Sequence, residues 1–161
     1  MSKIKELIND NNNVLVFDVD GVLALLEWGD YNHYALNDDE WNKACLEGIN
    51  SYNEDKVNKK LQEFLKSKDM SKIYVITTVG SNNEGEFKKE FVNKYYNILK
   101  ENVYYVSDNT QKTDVLLEIK NKYPKLKDYQ IVMIEDTVSI LNDIMEKTNF
   151  ATVHISSFVN I

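Results

Sequence analysis

The chain has 161 residues, enough for one domain with a proper core. Its 19 basic and 26 acidic side chains leave a formal charge of −7, which argues against broad nucleic-acid binding but leaves room for a small phosphorylated ligand held by one local cation. No apolar run reaches the roughly 18 residues of a membrane span, the charged N-terminus is too short for a secretory signal, and the single Cys45 rules out an internal disulfide and fits a reducing cytoplasm.

Residues 1–8 form an amphipathic turn or two. Residues 14–23 then read Val-Leu-Val-Phe-Asp-Val-Asp-Gly-Val-Leu. The apolar start has the character of a buried strand. An unpaired charge is expensive to bury, so Asp18 and Asp20 belong at the strand's C-terminal edge, where open α/β sheets bind ligands. The pleat places both on one side, where they repel unless a cation or shared proton compensates. A polar and aromatic stretch follows, with a short helix expected near 40–49 behind the capping sequence Asn37-Asp38-Asp39-Glu40. Cys45 reads as a small buried hydrophobe of that helix. A longer helix is expected over 54–67, with Val57, Leu61, Phe64 and Leu65 at helical spacing. Strand 72–77 precedes a helix over 84–99, and strand 102–106 precedes a helix over 112–122 that Pro124 closes. Strand 130–134 ends in Glu135-Asp136. Thr137 or Asp136 can cap the helix that runs to 147, and strand 151–155 ends the pattern.

Strands alternating with helices predict βαβ units: a single three-layer α/β domain over 1–161, Rossmann-like, with a mainly parallel five-stranded sheet and helices on both faces. The strand ends then meet at one crevice. Asp18, Asp20, Glu135 and Asp136 would repel one another there without a cation, and a hard, oxygen-preferring ion such as Mg²⁺ suits them. Lys112 adds a second positive charge, Thr77 a hydroxyl and Thr78 a backbone N–H. Gly21 lets the chain turn away beside the site without a Cβ clash.

The order Asp18-Val-Asp20-Gly-Val-Leu, Ile-Thr77-Thr78, Gln-Lys112-Thr-Asp and Ile-Glu135-Asp136-Thr resembles the haloacid dehalogenase superfamily, specifically its Mg²⁺-dependent phosphatase branch, across the whole core. The resemblance implies a phosphomonoester hydrolase. By it, Asp18 is the nucleophile that forms an aspartyl-phosphate, and Asp20 protonates the leaving oxygen and then activates water. Thr77 and Lys112 hold the phosphoryl oxygens. Asp136, Asp18 and the Asp20 carbonyl bind Mg²⁺, with Glu135 contributing directly or through water.

Superfamily members often carry a cap domain over the crevice. Between Thr77 and Lys112 there is room for one helix and one strand only, and the insertion at 22–53 is a flap or minimal cap. An open site of this kind admits a nucleotide, a sugar phosphate or a phosphorylated macromolecule, or is covered by a second subunit in a homodimer. Trp28, Tyr31, His33, Tyr34 and Trp41 could stack on a substrate, Trp28 foremost, or could glue the flap to the core. His154 reads as structural. A receiver domain would place its phosphorylated Asp after the third strand, where Asp108 follows only loosely. A dehalogenase would not need Asp20 or the Glu135-Asp136 pair, and a phosphomutase needs a larger cap. A non-catalytic binding or regulatory protein on the same fold is the rival of a different class.

Overall fold

The computed structural model describes residues 3–25 and 37–160. Trp28, Tyr31, His33 and Tyr34 therefore lie outside the described residues. Helix α1 (Lys3–Asn9) leads into strand β1 (Val14–Phe17). Helices α2 (Asp38–Leu46) and α3 (Lys59–Leu65) precede β2 (Ile73–Thr78). Then come α4 (Asn82–Tyr96), β3 (Val103–Val106), α5 (Lys112–Asn121), β4 (Ile131–Glu135), α6 (Val138–Lys147) and β5 (Ala151–His154). The five strands form one parallel sheet in the order β3-β2-β1-β4-β5. Among the described residues no helix is long and apolar enough to cross a membrane.

The pleat divides the core into two layers. Leu15, Phe17, Ile73, Val75, Val132 and Ile134 pack with Ile8 of α1, Leu61 and Leu65 of α3, and Phe91, Val92 and Tyr96 of α4. Val14, Val16, Tyr74, Ile76, Ile131 and Met133 pack with Leu116 and Ile119 of α5 and Ile140 and Ile144 of α6. Residues of β1 and β4 are buried on both faces, which explains their unbroken apolar runs. The chain winds outward from β1 to β3, then returns to β1's other side as β4. The ends of β1 and β4 thus flank the point where strand order reverses, the usual position of a ligand crevice in such sheets.

Local chemistry sets most boundaries. Asn37 caps α2 through a reciprocal box with Glu40, as the sequence suggests. Ser81 caps α4, and Asn97, at φ 58°, ends it in the left-handed conformation. The expected helix over 54–67 is instead a 3₁₀ turn (Glu54–Lys56) and a separate α3. Val57 leaves the helix to bridge Ala24, and the Asn58 side chain accepts from Leu61 N to restart it. Thr137 stands at the N-cap of α6, but its side chain makes no capping bond. Its hydroxyl goes to Asp136 instead. The remaining boundaries hold or shift by at most three residues.

Candidate active site

β1 stops at Phe17 because the next residue must face the crevice. The Asp18 N–H still continues the ladder to the Ile134 carbonyl at 3.0 Å. Its side chain, only 7% exposed, turns toward α5 and β4. There Lys112 Nζ lies 3.1 Å from Asp18 Oδ1 and 2.8 Å from Glu135 Oε2. The contact to Asp18 is an ion pair by distance, but its angles leave Oδ1 without a directed hydrogen bond. Glu135, the last residue of β4, is fully buried, and its other oxygen accepts from the N–H groups of Asp136 and Thr137 at 3.1 and 3.2 Å. Carboxylate oxygens of Asp18, Glu135 and Asp136 come within 4.8 Å of one another.

One buried ammonium therefore pairs with two carboxylates, and a third, Asp136, converges on the same two. Burial pushes the Asp18 carboxyl above its ordinary range against the pull of Lys112, and Asp20 pushes the same way. Burial, then the Asp18 charge, raises Glu135 to about 8 despite its bond to Lys112. The Lys112 ammonium loses hydration, but Asp18 and Glu135 outweigh that loss and hold its pKa up. The trio carries more negative charge than one lysine compensates. An orphaned buried carboxylate oxygen, three convergent oxygen donors and no sulfur or imidazole among them suit a hard divalent cation such as Mg²⁺.

Asp20 goes elsewhere. Its charge still acts on Asp18, but its carboxylate has partners of its own. Asp20 Oδ2 pairs with Lys88 Nζ at 2.7 Å, and Asp20 Oδ1 accepts from the Tyr52 hydroxyl at 2.9 Å. The Asp20 carboxylate is thus no member of the Asp18–Glu135–Asp136 trio. Lys88 is fully buried on α4 and also reaches Glu84 Oε1 at 2.8 Å, the Thr78 carbonyl at 2.7 Å and Thr77 Oγ1 at 3.3 Å. Glu84 in turn accepts from the Gly80 N–H at 2.8 Å. Asp20 and Glu84 more than offset the desolvation of Lys88 and keep it charged. Burial and the Asp20 charge raise the Tyr52 phenol well above its usual range, so it stays a donor.

The other sequence candidates fall into place around these two lysines. Thr77 is buried at the end of β2. Thr78 lines the cavity beside Asp20. Gly21 has φ 77°, a conformation that favours glycine, and its N–H closes a tight turn to the Ala24 carbonyl at 2.9 Å. Its observed role is that turn. Cys45 is buried, as expected, and burial raises its thiol pKa. Trp41 is 9% exposed and packs edge-on against Tyr52, so this aromatic of the insertion serves the core. His154 Nε2 lies 3.0 Å from the Asp136 carbonyl and fixes the loop that carries Asp136.

Lys88, Glu84 and Tyr52 are not singled out by motif order. A signal does exist in the sequence. Lys88 lies three, four and seven residues before Phe91, Val92 and Tyr95, on the apolar stripe of α4, where a lysine must find a buried partner. Lys88→Met is expected to leave Asp20 and Glu84 facing each other with no ammonium between them. Removing one partner of a buried pair costs about 3–5 kcal/mol, so thermal unfolding should move down by roughly 10 °C. A shift of under about 2 °C would show that the network contributes little to the fold.

No family model matches the chain, and no curated protein matches it in sequence. Comparison with solved structures finds similar chains. DsGPDH of Dunaliella salina overlays with a TM-score of 0.55 at 15% identity, over 93% of this chain and 24% of that one. The present chain thus spans about a quarter of that protein. The HAD domain of the effector protein Lem4 from Legionella pneumophila overlays with a TM-score of 0.48 at 14% identity, over 88% of this chain and 84% of that domain. At 15% identity the likeness to DsGPDH concerns the fold alone.

Proposed function

We propose that the protein is a Mg²⁺-dependent phosphomonoester hydrolase that works through an aspartyl-phosphate on Asp18. The observation that carries this reading is the placement of Asp18. A buried carboxylate at a strand end pairs with the Lys112 ammonium, which it shares with Glu135, and converges with Glu135 and Asp136 at the reversal point of a parallel sheet. A carboxylate attacks a phosphate dianion poorly because both are negative. Lys112 on one side removes part of that repulsion and can hold equatorial oxygens as charge moves in the transition state. Mg²⁺, held by Asp18, Glu135 and Asp136, would supply the remaining charge neutralisation and orient the phosphoryl group. Thr77, at the end of the neighbouring strand, offers its hydroxyl to the same group.

In the first step an Asp18 oxygen bonds to phosphorus as the ester P–O bond breaks, and the leaving oxygen takes a proton from the Asp20 carboxyl. In the second, the Asp20 carboxylate takes a proton from water while the water oxygen displaces Asp18 from phosphorus. Lys88 pairs with one Asp20 oxygen and the Tyr52 hydroxyl donates to the other. Tyr52 and Lys88 fix the rotamer, so the same carboxyl serves both steps from one position.

The test is hydrolysis of p-nitrophenyl phosphate with Mg²⁺ and with EDTA, which should abolish it. Asp20→Asn should slow an alkyl phosphate by about 10²–10⁴-fold and p-nitrophenyl phosphate by much less, because nitrophenolate leaves without a proton. Equal losses on both substrates would remove Asp20 from the acid role. Mg²⁺ binding with no turnover of any phosphomonoester would favour the non-catalytic binding reading.

A further inference from the structure

A cavity of about 280 Å³ opens beside Asp20, lined among others by Asp38, Trp41, Asn42, Thr78 and Glu84. If Asp20 protonates the leaving oxygen, this is where the alcohol portion of the substrate sits. The cavity is rich in hydrogen-bond acceptors, and its described lining includes no lysine, arginine or histidine. The charge distribution along the chain points the same way. The insertion, residues 22–53, holds six acidic side chains against the single Lys43, a net of −5. The remaining residues hold 20 acids and 18 lysines, a net of −2, so most of the formal charge of the protein falls in the sequence of the insertion. Part of this acidity serves the N-terminus of α2, where Asp38, Asp39 and Glu40 occupy the first turn. Asp38 does more, because it also lines the cavity.

From this we propose that the site selects phosphomonoesters whose alcohol carries a positive charge, an amine above all, and rejects those whose alcohol carries a second anionic group. The inference rests on the phosphatase reading and assigns its substrate class. A phosphate dianion is drawn in by Lys112 and the bound cation. A carboxylate or second phosphate further out would meet the Asp38 carboxylate, while the buried Lys88 ammonium is already engaged by Asp20 and Glu84. An ammonium at that distance would meet the Asp38 carboxylate, with the Trp41 ring beside it. Asp38 is then a specificity-determining residue.

The experiment compares kcat/KM at low salt with Mg²⁺ for O-phosphoethanolamine, glycerol 1-phosphate and 3-phosphoglycerate, with p-nitrophenyl phosphate as the charge-neutral reference. The expected order is cationic, neutral, anionic, with at least about a tenfold span between the ends, the size of one like-charge encounter in a half-solvated cleft. Asp38→Lys should shrink or reverse that span, and added salt should compress it in the wild type. A phosphoserine peptide with lysine neighbours carries the same chemistry. Its rate relative to O-phosphoethanolamine tells whether the cation comes from a peptide or a small molecule. Turnover of p-nitrophenyl phosphate with 3-phosphoglycerate equal to or better than O-phosphoethanolamine would overturn the inference while leaving the phosphatase reading intact. A span that survives Asp38→Lys unchanged would remove Asp38 from the role. No turnover of any of the four, p-nitrophenyl phosphate included, would overturn the phosphatase reading and this inference with it.

Discussion

Asp18→Asn is expected to reduce phosphatase turnover by at least about 10⁴-fold, to the level left by metal and binding alone, while the protein folds as well as before. The two halves of this expectation come from the same geometry. The amide is isosteric but lacks the electron pair that must bond to phosphorus. It also removes a charge that burial penalises, since Asp18 is 7% exposed and its carboxyl sits above the ordinary range. Lys112 keeps Glu135 as a partner at 2.8 Å, so no ammonium is left stranded. Thermal unfolding in EDTA should therefore be unchanged or slightly higher. Steady-state kinetics on p-nitrophenyl phosphate and a melt of the same sample decide it. A variant that melts far below the wild type would mean that Asp18 is a structural anchor. One that hydrolyses at the wild-type rate would move the nucleophile elsewhere.

The fold was readable where burial was complete. β1, β2 and β4 are buried along nearly their whole length, so their sequences are runs of Val, Ile, Leu and aromatics that nothing else explains. The residues that follow such runs must be polar for a reason, which made Asp18, Thr77 and the Glu135-Asp136 pair visible. Lys112 was readable only through its order after β3, yet it is buried and central. The misread segment, 54–67, has helical spacing through Val57, Leu61, Phe64 and Leu65. Spacing alone does not reveal that Val57 is needed by Ala24 across the insertion, and tertiary pairing overrode local periodicity. Glu84 and Lys88 were hidden for the opposite reason. At i and i+4 on a helix they read as an exposed salt bridge of the kind that Lys147 and Asp143 form. Which face of α4 is buried depends on the sheet beneath it. Asp20's partners follow from that, because they come from α4 and from the loop holding Tyr52 and not from β1 itself.

The same excess of buried negative charge makes stability depend on pH in an unusual direction. Most folded carboxylates are held below their ordinary range, as Asp69, Glu86, Asp108 and Asp143 are here. Such groups give stability that is present above about pH 4 and lost on acidification. Glu135 is the reverse case. Its value in the folded chain is about 8 against an ordinary value of 4.5, so between these limits the native state binds the proton more tightly than the unfolded state does. The slope of unfolding free energy with pH is then negative, and stability declines as pH rises from about 4.5 to about 8. Asp18 is displaced in the same direction and adds to the decline. Lys88 and Lys112 are raised above an ordinary lysine value of 10.5, so their contributions remain constant through this window. In EDTA, the melting temperature should fall by at least about 3 °C between about pH 5.5 and 8, the size of a loss near 1 kcal/mol in a chain of this length. A Mg²⁺ ion held at this cluster would compete with protons for Asp18 and Glu135, so its stabilisation should be small at the lower pH and large at the higher. Glu135→Gln should flatten the EDTA profile, because the amide does not titrate. A wild-type profile in EDTA that is flat or rises through the window would mean that the buried trio is already neutralised within the protein, and the case for a bound divalent cation would lose its electrostatic basis.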